Sequence, residues 1–515
     1  MSDTFYITTA IDYVNGAPHL GHAYEKVLTD VIARYQRQKG RNVFFLTGVD
    51  EHGQKVQKSA AQQGRSPQEF CDEMSDHFRR LCEKLNISID DFVRTTEPRH
   101  QKVVQQILSR LYEAGEIYKG EYEGYYSARA EQFLAEKDMV DGKFPEKYGE
   151  VVRLKEPVYF FRLAKHQDWL RDYLQKNPNF IFPSFRTKEV LGALENPIND
   201  LCISRPKNRL NWGIPLPFDA EQVTYVWFDA LINYVSVIGY GTDKFKEYWP
   251  AVHVIGKDIL VPAHAIYWPI ILRALGMEMP RQIIVHGWWM QNKEKMSKST
   301  GNVVDPLKLI EVYGVDAFRY FVLREMAVGQ DADFSQEQFH RRYQSDLAND
   351  LGNLVHRVIS MIHRYRGSIV PEAKPSARLP LDDDLEAKVQ QAITDFRKHM
   401  DSLHIHLALQ ELWRGFQRAN QYVEENAPWK LAKDPTQAER LDGVLNRLIT
   451  AVILLTRELK PLFPQTVENI FKQAGFFGDE DKAMLEKKFL DEKHALGQSE
   501  VLFPRIDSEN IGSST

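Results

Sequence analysis

The chain has 515 residues, more than one hydrophobic core usually serves, so roughly two to four domains are expected. Its net charge of −5 excludes a protein that coats nucleic acid nonspecifically, although a local basic patch can still read one RNA. The three cysteines form no Cys-x-x-Cys pair, which argues against a disulfide framework. With no apolar run that could span a bilayer and no leader before the first strand pattern, we expect a cytoplasmic protein that does not bind a membrane.

The first third of the chain alternates strand and helix patterns. The strand FYITTAI (residues 5–11) precedes a helical period over residues 24–38. The apolar strand NVFFLTGVD (42–50) follows and is expected to break at Gly48. Ser66 to Glu69 form a capping box in front of another helix. Strands that alternate with helices predict a parallel sheet covered on both faces.

The rest of the chain divides into a resumed sheet and a helical region. AVHVIGKDI and RQIIVHGWWM are later strands of the same sheet, and long helical patterns begin near Asp346, with residues 366–384 as the loop between the first two helices. We therefore predict an α/β fold with a Rossmann-like, doubly wound parallel sheet and an inserted connective subdomain, followed by an all-α helix bundle. The predicted boundaries are 1–116 and 212–290 for the two sheet halves, 117–211 for the insertion, 291–345 for a basic loop and stem-contact region, 346–475 for the bundle and 476–515 for a charged segment that packs in part.

Two histidines stand where the first strand becomes the first helix, in PHLGH (18–22). A helix N-terminus attracts phosphate through its unpaired N–H groups, and imidazoles three residues apart there face the same opening. Gly21 between them lets a flat ring such as adenine approach the backbone. A pair of solvated surface histidines and a metal pair completed by Glu25 or His52 are the alternatives.

A basic stretch, NKEKMSKSTGN (292–302), follows the last strand of the sheet. Its lysines stand among Ser, Thr and Gly, so the loop is expected to be mobile, and ammonium groups suit a polyphosphate. A solvated basic loop would explain the charge but not the presence of this string together with PHLGH.

Both motifs resemble known signatures. HLGH (19–22) is similar to the HIGH motif, and KMSKS (295–299) to the KMSKS motif, of class I aminoacyl-tRNA synthetases. TGVDEHG, VWFDALINY, HVIGKDI and HGWWM are similar to blocks of the methionyl-tRNA synthetase family, and the resemblance covers nearly the whole chain. It implies a methionine–tRNA ligase that forms methionyl-adenylate from L-methionine and ATP, releases pyrophosphate, and charges the 3′-terminal adenosine of initiator and elongator tRNA(Met).

The resemblance also implies site residues. His19 and His22 would act at the α-phosphate and Lys295 and Lys298 at the leaving pyrophosphate, while Mg²⁺ would accompany ATP. The other implied ATP contacts are Gly21, Gly256, Asp258, Met296, Ser297 and Ser299. Asp50 would pair with the methionine ammonium, and the implied pocket walls are Ala10, Ile11, Tyr13, Trp227, Ala230, Leu231, Tyr234 and His286.

The implied pocket suits a thioether, because aromatic edges and apolar walls hold a polarisable sulfur. A polar group near the sulfur would reject an isosteric hydrocarbon, and Tyr13 and His286 are the candidates. The insertion of this family commonly carries zinc knuckles, but Ser127 and Ala130 stand where a Cys-x-x-Cys pair would fall. We therefore expect no structural zinc.

Residues 345–362 combine two faces on one predicted helix. The apolar face comprises Leu347, Leu351, Leu354, Val355, Val358 and Ile362, and the opposite polar stripe comprises Asn349, Asn353 and Arg357. The resemblance implies that this stripe reads the CAU anticodon together with Trp429. A solvated helix face is the alternative. Since no further tRNA-binding domain follows in the sequence, we expect a monomer.

Three other functions remain open from the residues. The first is a class I synthetase for another amino acid, with cysteine or leucine nearest. The second is a tRNA-binding module that has lost catalysis, although intact HLGH and KMSKS motifs argue against it. The third is a free-standing nucleotidyltransferase, which would not need the helical half.

Overall fold

The structure, a computed structural model, describes residues 4–127, 129, 132–134, 139–296, 303–476 and 494–506, without the side chains of residues 132, 133 and 295. The chain divides into two compact units, Met1–Trp288 and Trp289–Thr515. Over the described ranges, no helix combines the length and the apolar character needed to cross a membrane.

The first unit contains strands and short and long helices in alternation. Its strands are β1 Thr4–Thr9, β2 Asp12–Tyr13, β3 Asn42–Asp50, β4 Asp91–Arg94, β5 Ile117–Ser127, β6 Gln132–Leu134, β7 Val151–Phe161, β8 Ile181–Phe182, β9 Leu201–Cys202, β10 Ser204–Pro206, β11 Pro215–Leu216, β12 Asp219–Thr224, β13 Val252–Gly256 and β14 Gln282–His286. Its α-helices are α1 Leu20–Gln38, α2 Gln54–Gln62, α3 Pro67–Lys84, α4 Pro98–Glu113, α5 Gln167–Lys176, α6 Phe185–Ala193, α7 Val226–Leu231, α8 Asn233–Ser236, α9 Asp243–Tyr248 and α10 Trp268–Ala274, and a π-helix spans Leu260–Tyr267.

A parallel sheet forms the centre of this unit. Its order is β4–β3–β1–β13–β14–β8, and β2 pairs with the last residues of β3. Every pairing in the sheet is parallel, which confirms the predicted α/β class. The carboxyl ends of β1, β3, β13 and β14 therefore open at one edge, the edge at which ligands bind in such sheets.

Strand β3 does not break at Gly48, so that prediction is wrong. The strand continues to Asp50. It lies so close to β4 that a Cβ at Gly48 would be 2.1 Å from the carbonyl oxygen of Val93. The glycine is required by the close approach of two strands, not by a turn, and the extended strand carries Asp50 to the sheet edge.

The predicted insertion at residues 117–211 is not one continuous subdomain. β5 and β7 pair along their whole length as an antiparallel hairpin, with β6 and β9 at its edges. Ile181–Phe182, however, pairs with β14 at the edge of the parallel sheet. A strand of two residues has no periodicity that the sequence could reveal. Over the described ranges, no group of three or more His, Cys, Asp or Glu could hold a metal ion, and Ala130 lies outside those ranges.

The second unit begins with a small sheet and continues as helices. The strands are β15 Trp289–Gln291, β16 Glu294–Lys295 and β17 Ala332–Asp333, in the order β16–β15–β17. The helices are α11 Pro306–Tyr313, α12 Val315–Glu325, α13 Gln336–Arg342, α14 Leu354–Arg366, α15 Pro380–Asp401, α16 Ile405–Asn426, α17 Pro428–Leu431, α18 Ala438–Glu458 and α19 Pro464–Gln473, and a π-helix spans Tyr343–Asn353.

Two predicted boundaries in this unit are corrected. The helical run that contains Asp346 begins earlier, at Gln336, because α13, the π-helix and α14 follow one another without a break. Helix α15 begins at Pro380, so the connecting loop covers 367–379, not 366–384. Proline suits the first position of a helix, where its missing N–H costs nothing.

The described part of the charged C-terminal segment, residues 494–506, packs on the helical unit. Val370 N donates to His494 O and Leu496 N donates to Ser368 O, each at 2.8 Å. Tyr343 Oη donates to Pro504 O at 2.8 Å. This agrees with the prediction of partial packing; residues 477–493 and 507–515 lie outside the described ranges.

Candidate active site

His19 and His22 cap the N-terminus of α1. His19 Nδ1 accepts a hydrogen bond from Gly21 N at 3.0 Å, and His22 Nδ1 accepts one from His19 N at 3.1 Å. The ring centroids are 3.9 Å apart. Because each Nδ1 is an acceptor, each neutral ring carries its proton on Nε2, where it can be donated to a ligand. A Cβ at Gly21 would lie 2.9 Å from the His19 ring, so only glycine leaves that imidazole in place.

A cavity of about 340 Å³ opens at the carboxyl edge of the sheet, a volume within the range of roughly 300–1,000 Å³ that is usual for small-molecule sites. Eight residues assigned to methionine by the resemblance line it: Ala10, Ile11, Tyr13, Asp50, Trp227, Ala230, Leu231 and Tyr234. Asp50 supplies a carboxylate, and Trp227 and Tyr234 supply aromatic faces. The cavity therefore offers an anion for an ammonium group beside an apolar and aromatic wall.

Residues assigned to the nucleotide stand at the end of β13. Asp258 also lines the cavity. A Cβ at Gly256 would lie 2.7 Å from Asp258 Oδ1 and 3.6 Å from the His286 ring, so the space around Gly256 admits no side chain. Glycine at this position therefore lets the side chains of Asp258 and His286 pack close to the backbone at the end of β13.

His264 is a cavity residue that the sequence analysis missed. Its Nδ1 donates to Ile259 O at 2.9 Å, since a carbonyl oxygen can only accept. Its Nε2 therefore accepts a hydrogen bond from Tyr234 Oη at 2.7 Å. Burial lowers the pKa of His264 to about 4, which keeps the ring neutral. The one signal in the sequence is an isolated histidine in LVPAHAIYWP, a pattern equally typical of a core histidine.

Tyr234 is held from several sides. Tyr6 Oη donates to the Tyr234 carbonyl oxygen at 2.8 Å, and the His253 ring lies 4.1 Å from the Tyr234 ring between centroids. Burial raises the pKa of Tyr234, so its phenol stays protonated. The result is a rigid, polarisable ring whose hydroxyl proton is committed to His264.

The His286 ring lies at the end of β14, where an added Cβ at Gly256 would be 3.6 Å from it, and its assignment to the pocket wall stays a prediction. Its Nδ1 donates to Gly287 O at 2.8 Å, and its Nε2 lies 3.0 Å from Glu25 Oε2. The ring packs edge-on against Tyr24. His264 supplies a buried imidazole to the cavity itself.

A buried aspartate links the cavity walls. Asp229 on α7 accepts hydrogen bonds from His52 Nδ1 at 2.6 Å and His100 Nε2 at 2.7 Å. His100 Nδ1 lies 2.9 Å from Ser236 Oγ. Although burial alone would raise the pKa of Asp229, the two histidines lower it. The cluster thus joins the chain just after Asp50 to the helix that carries Trp227 and Ala230.

The predicted lysine loop lies largely outside the described residues. This applies to Ser297, Lys298 and Ser299, and to the side chain of Lys295. Lys295 belongs to β16 by its backbone, and the side chain of Met296 is buried.

The polar stripe of the helical unit begins on the π-helix Tyr343–Asn353 and continues on α14, so the single regular α-helix predicted for residues 345–362 is corrected. Asn349 and Asn353 are exposed and Arg357 is half-buried, whereas the six apolar residues of the opposite face are buried. The Arg357 guanidinium lies 5.7 Å from the Trp429 ring centroid and donates to Glu424 at 2.7 Å. Arg357 and Trp429 are therefore neighbours on the helical unit, a pair suited to bases that are splayed out of a loop.

The comparisons with known proteins agree with this geometry. Residues 5–153 and 147–359 match the family model for class I tRNA synthetases (M), and residues 370–513 match the anticodon-binding domain of methionyl tRNA ligase. The methionine–tRNA ligase of Caldanaerobacter subterraneus subsp. tengcongensis is 44% identical over 99% of this chain and 80% of its own length. That of Bacillus subtilis is 41% identical over 99% of this chain and 79% of its own length.

Solved structures extend the similarity to the fold. Methionyl-tRNA synthetase from Mycobacterium tuberculosis in complex with methionyl-adenylate has a TM-score of 0.92 at 39% identity, over 98% of this chain and 100% of that one. The apo form of the same enzyme has a TM-score of 0.86 at 36% identity, over 98% and 99%. The chain belongs to the methionyl-tRNA synthetase family of class I aminoacyl-tRNA synthetases.

Proposed function

We propose that this chain is a methionine–tRNA ligase that activates L-methionine with ATP and charges tRNA(Met). The observation that carries the proposal is the cavity at the sheet edge, because eight of the residues assigned to methionine converge on it. The two histidines that cap α1 stand in the same unit and carry their ring protons on Nε2, the nitrogen from which an imidazole donates to a phosphate.

Methionine binds through charge at one end and polarisability at the other. The Asp50 carboxylate pairs with the ammonium group. The side chain lies against Trp227 and Tyr234, whose rings favour a sulfur contact. The hydrogen bond from Tyr234 Oη to His264 holds the Tyr234 ring in place, and a hydrocarbon side chain loses the sulfur contact with that ring. Rejection of homocysteine, which lacks one methyl group, falls to this same cavity.

Adenylate formation needs positioning and charge stabilisation. A methionine carboxylate oxygen attacks the α-phosphorus, the bond to the bridging oxygen breaks, and pyrophosphate leaves. The nucleophile is already an anion, so no general base is required. His19 and His22 donate Nε2–H to the α-phosphate, while Lys295 and Lys298 neutralise the pyrophosphate. Gly21, Gly256, Asp258, Met296, Ser297 and Ser299 surround the nucleotide, which arrives with Mg²⁺ as part of the substrate.

In the second step, a ribose hydroxyl of the terminal adenosine of the tRNA attacks the methionyl carbonyl carbon and AMP leaves. Asn349, Asn353 and Arg357 read the CAU anticodon, with Trp429 as a stacking platform. Both initiator and elongator tRNA(Met) are substrates. The enzyme acts as a monomer in the cytoplasm, with no structural zinc.

The decisive experiment is amino-acid-dependent ATP–pyrophosphate exchange with each of the twenty amino acids. We expect exchange with methionine far above all others. Exchange with cysteine or leucine instead would identify a synthetase for that amino acid, and no exchange with any amino acid would identify a tRNA-binding module.

The anticodon assignment has its own test. Trp429→Ala is expected to lower kcat/KM for tRNA(Met) by about tenfold to hundredfold, because base stacking contributes about 1–3 kcal/mol. Trp429→Phe keeps a stacking ring and is expected to retain most of the activity. Methionine exchange without tRNA stays unchanged in both variants. Equal loss of charging in the phenylalanine variant, or equal charging of a tRNA with an altered anticodon, would contradict the assignment.

A further inference from the structure

A buried ionic cluster lies behind the two-histidine cap of α1. Lys26 is 1% exposed and Asp12 is 7% exposed, and Lys26 Nζ lies 2.8 Å from Asp12 Oδ2. Lys26 Nζ also donates to Thr9 Oγ1 at 3.1 Å and to Ala10 O at 3.3 Å. Lys26, on α1, thus contacts the end of β1 and the start of β2. Both of these segments border the cavity.

A second acid–base pair completes the cluster. Glu25 Oε1 lies 3.4 Å from Lys26 Nζ, and Glu25 Oε2 lies 3.0 Å from His286 Nε2. His286 Nδ1 donates to Gly287 O at 2.8 Å, so Nε2 is the ring nitrogen that faces Glu25. Asp12 is the nearer of the two carboxylates to Lys26, at 2.8 Å against 3.4 Å for Glu25.

Asp12 also faces the second histidine of the cap. Its Oδ1 lies 4.0 Å from His22 Nε2, the nitrogen that carries the ring proton. A carboxylate at this position favours the Nε2–H tautomer and restrains the ring. Burial raises the pKa of Asp12 to about 6 against the opposing effect of Lys26. Burial would lower the pKa of Lys26, but Asp12 and Glu25 raise it to about 12, so the lysine keeps its charge.

We propose that Asp12 and Lys26 are positioning residues for adenylate formation, in which Lys26 keeps Asp12 ionised and the ionised carboxylate, by charge and without a hydrogen bond, restrains the His22 ring in the position from which it contacts the α-phosphate. Both act through His22 and neither is a catalytic residue. The inference rests on the proposed function, and methionine-dependent exchange by the unmodified chain establishes that function before any variant is interpreted.

The test uses Asp12→Asn, Lys26→Met and the double variant. Each removes the ionised carboxylate beside His22, because Asp12 without its lysine takes up a proton in this buried place. We expect kcat/KM for ATP in exchange to fall about tenfold in all three. In Asp12→Asn the KM for methionine is expected to change by less than about twofold. Thr9 Oγ1 donates to Ala10 O at 2.6 Å in this structure, so both of these groups, which Lys26 contacts, have another hydrogen-bond partner.

Thermal unfolding separates positioning from simple stabilisation. Each single variant leaves a buried partner behind and unfolds at a lower temperature, whereas the double variant removes both members of the Asp12–Lys26 pair and recovers stability. Under the proposal, the double variant remains defective toward ATP although it is stable. Recovery of kcat/KM for ATP together with stability would overturn the proposal, as would wild-type ATP kinetics in either folded single variant. Arg440→Met, which breaks a buried ion pair of the helical unit, is the control for loss of such a pair.

The pH profile gives a second readout. The titratable and charged groups that face the Asp12–Lys26 pair are His22 and Glu25 on α1 and Cys82 on α3, with His286 behind Glu25. As the pH falls through about 6, Asp12 takes up a proton and its hold on His22 is lost. Wild-type kcat/KM for ATP should therefore decline there by a step that Asp12→Asn lacks. Identical profiles for the two proteins would overturn the proposal.

Discussion

Two buried aspartates show how differently the two units use charge. In the first unit, Asp229 lies between His52 and His100, and these partners belong to the segments that border the cavity. In the second unit, Arg440 contacts both oxygens of Asp382, at 2.7 and 2.9 Å, and Tyr422 Oη donates to Oδ1 at 2.5 Å. These residues lie on α15, α16 and α18 and join the helices of the bundle.

The difference between histidine and arginine explains the two uses. Arginine keeps its charge at any ordinary pH, and its planar group binds a carboxylate at two points, so Asp382 forms a rigid connection between helices. Histidine can change its protonation state, and its ring can adopt more than one orientation. Asp229 therefore orients groups beside a site that must accept a ligand. One aspartate stabilises the fold, and the other positions the cavity.

The largest expected effect comes from Asp382→Asn. The change removes the counter-charge of a buried arginine, so the free energy of unfolding of the helical unit should fall by about 3–5 kcal/mol. Denaturant unfolding followed by circular dichroism measures it. Asp384 lies on the same helix as Asp382 and is an exposed partner of Arg418. Asp384→Asn should therefore lower the free energy of unfolding by about 1 kcal/mol or less. Equal losses in the two variants would contradict a special role for Asp382.

Asp229→Asn should act on substrate binding. The amide leaves one histidine donor without an acceptor, so the helix with Trp227 shifts and the KM for methionine should rise roughly thirtyfold, an effect of about 2 kcal/mol. The KM for ATP should change much less. Ser236→Ala removes only the hydrogen bond between His100 Nδ1 and Ser236 Oγ. It should weaken methionine binding by about 1 kcal/mol or less. A variant with normal methionine KM and a lower melting temperature would make Asp229 a stabiliser like Asp382.

Acid titration sharpens the same comparison. Although burial alone would raise it, Arg440 and Tyr422 lower the pKa of Asp382 from 3.8 to about 2. A lowered carboxyl pKa stabilises the folded state above the unfolded value, and this contribution is lost as the pH falls from 3.8 towards 2. The helical unit should therefore lose about 2 kcal/mol in this window. Asp382→Asn should not show this loss of stability. If the variant loses the same stability between pH 3.8 and 2 as the wild type, Asp382 is not its cause.

Local sequence patterns predicted much of the fold. The capping box of α3 is confirmed, since Glu69 N donates to Ser66 Oγ at 3.3 Å and Ser66 N donates to Glu69 Oε2 at 3.0 Å. The apolar face of residues 345–362 is buried throughout. Such features depend on residues three or four apart, and their geometry follows from the helix itself.

The misses share a different cause. The sequence predicts a strand break at Gly48, because the close approach of Val93 cannot be seen from it. It likewise assigns Ile181–Phe182 to an insertion, because the pairing with β14 is a tertiary contact. His264 could not be singled out from the sequence, because only the packing of the π-helix brings it to Tyr234.

The sequence by itself determined the order of strands and helices, the two histidines at a helix start and the apolar and polar faces of the long helix, because each depends on near neighbours along the chain. Only the tertiary structure decided which carboxylates are buried and which groups they face. Asp12 pairs with Lys26, and Asp229 accepts a hydrogen bond from His100, which lies 129 positions away along the chain. Burial and pairing are properties of the folded interior, where desolvation sets the charge of a group, and no local pattern encodes them.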